Sequence, residues 1–512
     1  MKVVSGIAGY DHGDYTEQGL GQRILEVFGD EIHWCKDSKR WYTYDENTGL
    51  WKQSEKEDML FITRSISSLL VGDRGSVTDS DQIKAFNKFL YNVQSKHFAY
   101  NGLDYAKSEV SCVQADFDAQ ATILGLPGGK VVDLESGEVK DSKPEYMITM
   151  KLNGSVKESV SERFEVFIRK FLESDDLRMY FWRFCGCALL GQEARNSDDK
   201  MALFMDSVSG SGKSTFLKVL KPAMGDYYKT ADIRLLTTDV KDPNKPNPLL
   251  CHLQGARIVG ISEIPADTQF VADVFKRLAA ADVALTRDMY SKTFEYVPDF
   301  KMLVMANDLP RPDATDDASF RCRFRRIRVN KPIEDKDPDI ERNAKTQEWR
   351  DDMVTWLVQG VKEYKAAGKL DDYNGVNLKG CNLPVAMKEA IKQYIGDNDD
   401  ILDFFTSNFR RDDKGKIPWL IMFKTYRDYT KDKRMNYYNF VRTYKKALSR
   451  FNLSEKRAWV EVLTDLDDDD SPTEMKYLEC VVGIRKLELR DSLDSTNFKK
   501  KAVAVVPNTN VS

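Results

Sequence analysis

The sequence of 512 residues predicts an α/β protein, in which a core of parallel strands lies between an α+β region and a helical region that ends in a hairpin. Three observations lead to this fold class. A glycine-rich loop, residues 206–215, stands between an apolar run at 201–205 and a helical pattern that starts at Phe216. Two later apolar runs each end on a polar side chain, Glu263 and Asn307. Helical and strand patterns on both sides of the core account for the flanking regions.

Composition narrows the class of protein. The net charge of −4 gives no overall basic balance, so any contact with a polyanion must be local. Eight cysteines without C-x-x-C spacing and only four histidines do not form a zinc-finger pattern, and they fit the reduced thiols of an intracellular protein. No apolar run approaches the ~20 residues of a membrane helix. We therefore expect a soluble protein of about two to four domains without membrane contact, in a host cytoplasm, a nucleus or a viral replication compartment.

The glycine-rich loop has the pattern of a phosphate-binding loop. Glycines let backbone N–H groups converge on a phosphate, and the helix that follows adds the positive end of its dipole. Lys213 would reach the β- and γ-phosphates of ATP, and Ser214 would hold Mg²⁺ through its hydroxyl. One position departs from the pattern, because Ser207 stands where the first glycine is usual. The residues expected to contact the nucleotide are Ser207, Val208, Ser209, Gly210, Ser211, Gly212, Lys213, Ser214 and Thr215.

Two strand ends supply further groups of a hydrolytic site. The apolar run 256–263 ends on Glu263, which could hold Mg²⁺ and polarise an attacking water. Ser262 stands where a second acid would be expected, so one carboxylate must serve. The run 300–306 leads to Asn307, an amide that can orient water against a γ-phosphate. We therefore predict that these strand ends lie at the same edge of the sheet as the phosphate-binding loop.

A hairpin and an arginine cluster complete the core. Strand patterns at 283–286 and 293–297 flank a basic segment, residues 287–292. Five arginines lie within the eight residues 321–328. The simple interpretation of this cluster is the solvated face of a strand. Because arginine is permanently charged and binds phosphate in a forked geometry, one of the five could instead complete the site of a neighbouring subunit.

Periodicity also predicts the elements outside the core. Helices are expected at 23–28, 55–70, 81–97, 164–172, 177–190, 346–367 and 384–394, and strands in an aromatic hairpin near 34–51 and across 110–149. Asp116 and Asp118 form a D-x-D pair, which a metal-dependent primase could use. No further acidic partner is obvious in the sequence, and a structural turn is the simpler interpretation.

The last part of the chain predicts a winged-helix domain. Helical patterns at 401–409, 420–431 and 436–451 precede a hairpin with strands at 457–463 and 475–483. The third helix carries basic residues at helical spacings, as a DNA-recognition helix would. The acidic loop 465–470 would repel phosphates, so DNA contact and a pure interaction module stay equally open.

These patterns divide the chain into six predicted parts. They are an N-terminal domain at 1–158, a helical collar at 159–200, the ATPase core at 201–335, a helical connector at 336–400, the winged-helix domain at 401–486 and a disordered tail at 487–512.

The order of the core motifs resembles a known family. The phosphate-binding loop, the strand ending on Glu263, the basic hairpin, the strand ending before Asn307 and the arginine cluster follow one another as in superfamily 3 helicases. More narrowly, the chain is similar to the helicase module of viral, phage and plasmid primase–helicases of the poxvirus type. The likeness covers most of residues 30–485. It implies a P-loop AAA+ core that binds ATP and Mg²⁺ in a homo-hexameric ring on single-stranded or forked DNA.

The resemblance also assigns roles to individual residues. It places Lys213 in the nucleotide site, Glu263 as the acid of the second strand and Asn307 as the sensor of the γ-phosphate. The arginine that acts on the neighbouring subunit is one of Arg321, Arg323 and Arg326. The residues that touch DNA in the ring channel are Arg287, Tyr290 and Lys292. A primase domain is not expected, so a separate primase or polymerase is a candidate partner.

The leading hypothesis is a replicative DNA helicase. A second hypothesis is an initiator or nucleotide switch that melts an origin with ATP and does not unwind processively. A primase–helicase that uses Asp116 and Asp118 and a small-molecule kinase built on the same loop are further alternatives.

Overall fold

The computed structural model describes residues 15–72, 79–191, 199–237, 248–265, 268–280, 284–286, 294–313, 317–397, 400–430, 435–451, 453–463 and 473–486. The chain forms two compact units. The first comprises Met1–Pro310, Arg323–Asp372 and Pro384–Met387, and the second comprises Arg311–Cys322, Tyr373–Leu383 and Lys388–Ser512. This division follows other boundaries than the six predicted domains, which stay a prediction.

The first unit begins with helices packed on a four-stranded sheet. The helices are Glu17–Phe28, Leu60–Gly72, Ser80–Val93 and Lys96–Ala106. The strands lie in the order Leu50–Ser54, Arg40–Asp45, Ile32–Cys35 and Ser111–Cys112, and only the last pair is parallel. Buried apolar side chains from both layers, among them Leu20, Ile32, Trp41 and Phe89, form one core.

One predicted helix, at 81–97, is two helices in the structure. The first ends at Val93. Ser95 then starts the second, because its hydroxyl accepts a hydrogen bond of 3.4 Å from the Phe98 N–H. The predicted element extends past this break to residue 97, whereas the second helix continues to Ala106.

A second sheet contains the antiparallel strands Ile123–Leu126, Lys130–Asp133 and Glu138–Asp141. The D-x-D pair lies just before it. Asp116 accepts a hydrogen bond from the Val113 N–H at 2.8 Å, and Asp118 accepts one from the Thr149 N–H at 2.9 Å. Both carboxylates thus fix local backbone, and this supports the interpretation of the pair as a structural turn.

Three long helices support the centre of the unit. Glu162–Phe171 and Asp175–Leu189 confirm the two helical patterns predicted before the core, and Gln347–Ala367 packs on the second of them. A Cβ built on Gly186 would lie 2.2 Å from the carbonyl carbon of Gly360. The two helices therefore approach closely because both lack a side chain at the crossing.

The centre of the unit is a sheet of five strands, which are β1 Ala202–Ser207, β2 Tyr228–Ala231, β3 Ile258–Ser262, β4 Lys301–Ala306 and β5 Phe324–Val329. They lie in the order β5-β1-β4-β3-β2 and every neighbouring pair is parallel. The loop helix, Lys213–Met224, and the helix Ala272–Ala280 belong to the crossovers between strands. The side chains of β1 and β4 are buried along their whole length, as in the middle of a parallel sheet. The sheet confirms the predicted α/β class.

The other elements of this unit are short. Strands Ala284–Thr286 and Phe294–Tyr296 pair antiparallel, which confirms the two strands of the predicted hairpin. The remaining short elements are the helices Arg234–Thr237, Pro248–Cys251 and Ile340–Asn343 and the strand Gln269–Phe270.

In the second unit, three helices pack on an antiparallel sheet. The helices Asp400–Asn408, Trp419–Thr430 and Tyr437–Ala447 confirm the predicted helical patterns. The sheet has the order Phe409–Pro418, Thr473–Lys486, Ser454–Leu463. Its first strand is not predicted, because the charged stretch 410–414 has no alternating apolar residues. The chain also contains the strand Arg311–Pro312 and the helices Ala318–Arg321 and Val385–Asp397. Among all described residues, no helix has both the length and the apolar character that a bilayer crossing requires.

Candidate nucleotide-binding site

The carboxyl ends of three strands bring the predicted catalytic residues to one edge of the central sheet. Asp206 of β1 lies beside Ala306 of β4, so the glycine-rich loop and Asn307 leave the sheet side by side. Glu263 follows β3, which is the next strand across. Ligands of open α/β sheets bind at this edge. The structure therefore places the three predicted strand ends as the sequence analysis expects.

The loop after β1 has the backbone of an anion cradle. Gly210 and Gly212 have φ angles of +82° and +88°, a conformation that favours glycine. Gly212 is the N-cap of the loop helix, and its carbonyl accepts a hydrogen bond of 2.8 Å from the Phe216 N–H. The first N–H groups of a helix have no partner within the helix, and its dipole adds positive potential there. The start of the loop helix at Lys213 can therefore receive a phosphate.

Lys213 is 9% exposed and lies among oxygen atoms. Its Nζ donates to the Ser207 carbonyl at 2.9 Å, to Asn307 Oδ1 at 3.0 Å and to the Ser207 hydroxyl. Burial lowers the pKa of Lys213, while the nearby carboxylates of Asp206 and Asp308 oppose this shift. The structure thus joins the predicted phosphate-binding lysine to the predicted sensor amide.

Ser207 stands where the loop pattern has a glycine, and its side chain makes contacts of its own. The residue is buried at the end of β1. Its hydroxyl is within hydrogen-bond distance of Ser211 Oγ as well as of Lys213 Nζ. The departure from the glycine pattern is therefore accommodated by hydrogen bonds inside the loop.

The two side chains that are predicted to hold magnesium both carry oxygen atoms and lie at this edge of the sheet. Ser214 is exposed in the first turn of the loop helix, and Glu263 is exposed directly after β3. Hydroxyl and carboxylate oxygens are ligands that Mg²⁺ takes together with water and substrate phosphates. Glu263 has a φ angle of +58°, a costly conformation for a residue with a Cβ and one that clusters at functional sites. In the described part of the chain, no three histidine, cysteine or acidic side chains form a metal-binding group.

The structure divides the arginine cluster. Arg326 of β5 donates to both carboxylate oxygens of Asp206, at 2.7 and 2.6 Å, and the two side chains are only 7% and 8% exposed. This placement argues against Arg326 as the arginine that reaches a neighbouring subunit. Arg321, which ends a short helix, and Arg323, which precedes β5, are partly exposed. A trans-acting role for one of these two stays a prediction.

The predicted DNA-contacting residues Arg287, Tyr290 and Lys292 lie outside the described residues.

In the second unit, Lys445 on the third helix forms an ion pair with Glu455 of the hairpin. The charge of that helix is therefore partly compensated within its own unit.

Sequence reasoning missed two acids of the site. Asp206 anchors Arg326 beneath the loop, and Asp308 is a second carboxylate whose charge acts on Lys213. A local signal exists for each, since Asp206 is the charged end of an apolar run and Asp308 directly follows the sensor position Asn307.

Comparisons with known proteins relate this chain to viral proteins. Residues 21–173 match the family model of D5 N-terminal-like domains. A segment with 40% of this chain is 26% identical to a proposed helicase of Acanthamoeba polyphaga mimivirus and covers 22% of that protein. Another, with 38% of this chain, is 26% identical to a proposed helicase of the Sputnik virophage and covers 26% of it. The chain resembles viral D5-type helicases.

The D5-type likeness confirms the resemblance that the order of the motifs predicts. The chain spans about a quarter of the length of these relatives, 22% and 26%, so the activity of the whole proteins is not carried over with the likeness. The apo structure of the NrS-1 C-terminal region aligns over its whole length with 92% of this chain, with 12% identity and a TM-score of 0.48. A likeness of that size carries no argument about function.

Proposed function

We propose that this chain is the ATP-driven module of a replicative DNA helicase, which works as a homo-hexameric ring on single-stranded or forked DNA. One observation carries the proposal: Lys213 and Asn307 meet at 3.0 Å at the carboxyl edge of a parallel sheet. A P-loop core of the AAA+ class needs a phosphate-binding lysine and a water-orienting group at this edge. The likeness to viral proteins described as proposed helicases supports the coupling of hydrolysis to DNA.

Hydrolysis in this proposal begins with a change of partners. Lys213 leaves the oxygens of Ser207 and Asn307 and neutralises charge on the γ-phosphate of ATP. The amide of Asn307, released from the ammonium group, orients the attacking water. Glu263 accepts the proton of this water, and the water oxygen attacks the γ-phosphorus in line with the leaving ADP oxygen.

Two further groups would act on the same phosphates. Ser214 and Glu263 would hold Mg²⁺, which would supply positive charge to the phosphates of ATP. Arg321 or Arg323 of a neighbouring subunit would stabilise the charge of the transition state, as arginine fingers do. This second contribution requires an assembled ring.

DNA contacts in this proposal come from two elements. The segment between the paired hairpin strands would present Arg287, Tyr290 and Lys292 to the strand in the ring channel. Within the second unit, residues 400–486 have the order helix, strand, helix, helix, strand, strand, which fits a winged-helix domain. For Lys445 of its third helix to contact DNA, a phosphate would have to replace Glu455 as the partner of this lysine.

The experiment that tests the proposal measures ATP hydrolysis with and without single-stranded DNA, on protein sized by light scattering in each case. We expect a ring-sized assembly with DNA-stimulated turnover. Lys213→Ala should abolish turnover, while Lys218→Ala should not, because Lys218 lies on the same helix with an exposed side chain. Turnover by a monomer that ignores DNA would remove the ring, the trans-acting arginine and the channel hairpin from the proposal.

A second measurement separates a helicase from an initiator that only melts DNA. Unwinding of duplexes of increasing length should continue beyond a local melted region. Lys292→Ala should keep basal hydrolysis and lose DNA-stimulated unwinding. Normal unwinding by this variant would contradict the assignment of the hairpin to the channel.

A further inference from the structure

The chain after β5 returns to the glycine-rich loop. The Ile333 N–H donates to the Gly210 carbonyl at 3.1 Å. A Cβ built on Gly212 would lie only 2.8 Å from Ile333 Cδ1. The short segment 332–336 therefore lies directly against the two glycines that shape the loop. Sequence reasoning gave this segment no role.

Ion pairs on both sides of Lys336 hold the segment in place. Asp335 pairs with Lys170 at 2.7 Å. Asp337 accepts hydrogen bonds from the guanidinium of Arg163, at 3.1 Å from Nε and at 3.0 and 2.9 Å from Nη2. Both cations belong to the helix Glu162–Phe171. The acids that flank Lys336 in the sequence are thus already paired with another helix.

Lys336 itself is exposed and makes no ion pair with any residue that the structure describes. Its Nζ lies 3.2 Å from the position of a Cβ built on Gly210. An ammonium group without a counter-charge thus stands beside a loop whose backbone favours anions. The flexible four-carbon stem of a lysine can bring this charge to a nearby phosphate.

We infer that Lys336 is a second phosphate-binding lysine of this site and contacts the phosphate chain of the bound nucleotide. The inference rests on the proposed function, since it needs a nucleotide on the loop. The two lysines differ in their starting state. Lys213 must leave protein oxygens before it binds phosphate, whereas Lys336 has no ion pair to break. Lys336 therefore contributes to nucleotide affinity, and Lys213 contributes to affinity and to hydrolysis.

The test is a titration of the full chain with fluorescent methylanthraniloyl-ATP, followed by displacement with ATP, ADP and inorganic tripolyphosphate. We expect Lys336→Gln to raise the dissociation constants of all three about tenfold, the scale of one charge-assisted hydrogen bond. Lys336→Arg should retain most of the affinity, since it keeps the charge. Lys331→Gln is the matched control, because it removes an exposed lysine from the same connection.

The outcomes separate this inference from the proposed function. Unchanged affinity in Lys336→Gln, with binding lost in Lys213→Ala, would overturn the role of Lys336 and leave the ATPase proposal intact. A loss for ATP that is absent for tripolyphosphate would assign Lys336 to the nucleoside and overturn a phosphate contact. If Lys213→Ala binds ATP as the unaltered chain does, the loop is not the nucleotide site and both proposals fall.

Discussion

At the amino edge of the central sheet, Arg325 is buried in a fixed pair with a carboxylate, whereas at the carboxyl edge Lys213 lies in contacts that a ligand can replace. On the amino side, Arg325 of β5 donates to both oxygens of Asp371, at 2.7 and 2.6 Å, and the Tyr180 hydroxyl donates to the same carboxylate at 2.8 Å. The side chains of Arg325 and Asp371 are 1% and 0% exposed. On the carboxyl side, Lys213 contacts only uncharged oxygens, those of Ser207 and Asn307.

The difference lies in the charge of the partner. A guanidinium bound by a buried carboxylate has its charge neutralised and its hydrogen bonds satisfied. Moving it to another partner would therefore cost free energy. An ammonium held by a carbonyl, a hydroxyl and an amide oxygen keeps its net charge. A negatively charged phosphate can therefore replace these uncharged oxygens as the partner of the ammonium group. A positively charged side chain is therefore structural at the amino edge and available for phosphate binding at the carboxyl edge.

Neighbouring arginines of β5 show how local this distinction is. Arg325 is paired at the amino edge, and Arg326 is paired with Asp206 below the loop. Arg328, two residues on, is 41% exposed, with its Nε 3.6 Å from the same Asp206 carboxylate. Within these four residues, Arg325 and Arg326 form buried pairs, whereas the charge of Arg328 is partly solvated. The number of arginines in the sequence does not reveal this difference.

The largest effect should follow from breaking a fixed pair at the amino edge. Asp371→Ala leaves Arg325 buried without its carboxylate, and we expect a loss of about 3–5 kcal/mol in the free energy of unfolding. Denaturant unfolding followed by circular dichroism measures it. Glu341→Ala is the control, since it breaks an ion pair with Lys218 whose side chains are 61% and 54% exposed, and stability should hardly change. Equal stability of the two variants would contradict the assignment of Arg325 and Asp371 as a fixed structural pair.

At the carboxyl edge, a change should affect chemistry and leave stability alone. Asn307→Ala should lower ATP turnover about 100-fold, because the amide acts on the attacking water. It should not weaken nucleotide binding, since it also removes one of the oxygens that hold Lys213 in the resting site. Asn307→Asp sharpens the test, since it keeps an oxygen for Lys213 and removes the amide donors. It should be as slow as the alanine variant. Normal turnover in Asn307→Asp would mean that only the oxygen that holds Lys213 matters.

The sequence predicts those parts of this site that depend on short continuous segments of the chain. The glycine positions, the helix that begins at Lys213 and the polar ends of β3 and β4 are local features, and parallel strands bring their carboxyl ends to one edge. Topology then joins Lys213 to Asn307, which are 94 positions apart, without further information.

The parts that could not be predicted are pairings between distant charges. Arg326 and Asp206 are 120 positions apart, and Lys170 and Asp335 are 165 apart. Many acids could have satisfied each of these cations, and no periodicity selects one. Strand β2 was not predicted for a different reason, because its four residues are too few to show a periodic pattern. The outcome for Arg326 follows from this, since its role depends on a partner that the sequence does not identify.

A titration distinguishes Lys213 from an ordinary lysine. Burial lowers its pKa below the usual 10.5 in the free protein, and a bound phosphate must favour the charged form. ATP affinity is therefore highest at lower pH, where Lys213 is charged, and it falls as the pH rises through the pKa of Lys213 in the free protein. Above that pKa, the dissociation constant should rise by about tenfold per pH unit until the pKa of the complex is reached. Titrations from neutral to alkaline pH, within the range where the chain stays folded, measure it. Lys336→Gln should retain the effect, and an onset only at the usual lysine value would refute it.

The smallest expected effect concerns the serine that replaces the first glycine of the loop. Ser207→Ala removes one of the oxygens that hold Lys213 in the resting site. Because the lysine then has fewer hydrogen bonds to break, we expect ATP to bind about three- to tenfold more tightly. Ser209→Ala should leave the affinity unchanged, because Ser209 is exposed and would contact the nucleotide through its backbone N–H, which the substitution keeps. Weaker binding by Ser207→Ala would mean that the hydroxyl orients Lys213 towards the phosphate, and the resting contacts at this edge would then be preorganisation for the ligand and not competition with it.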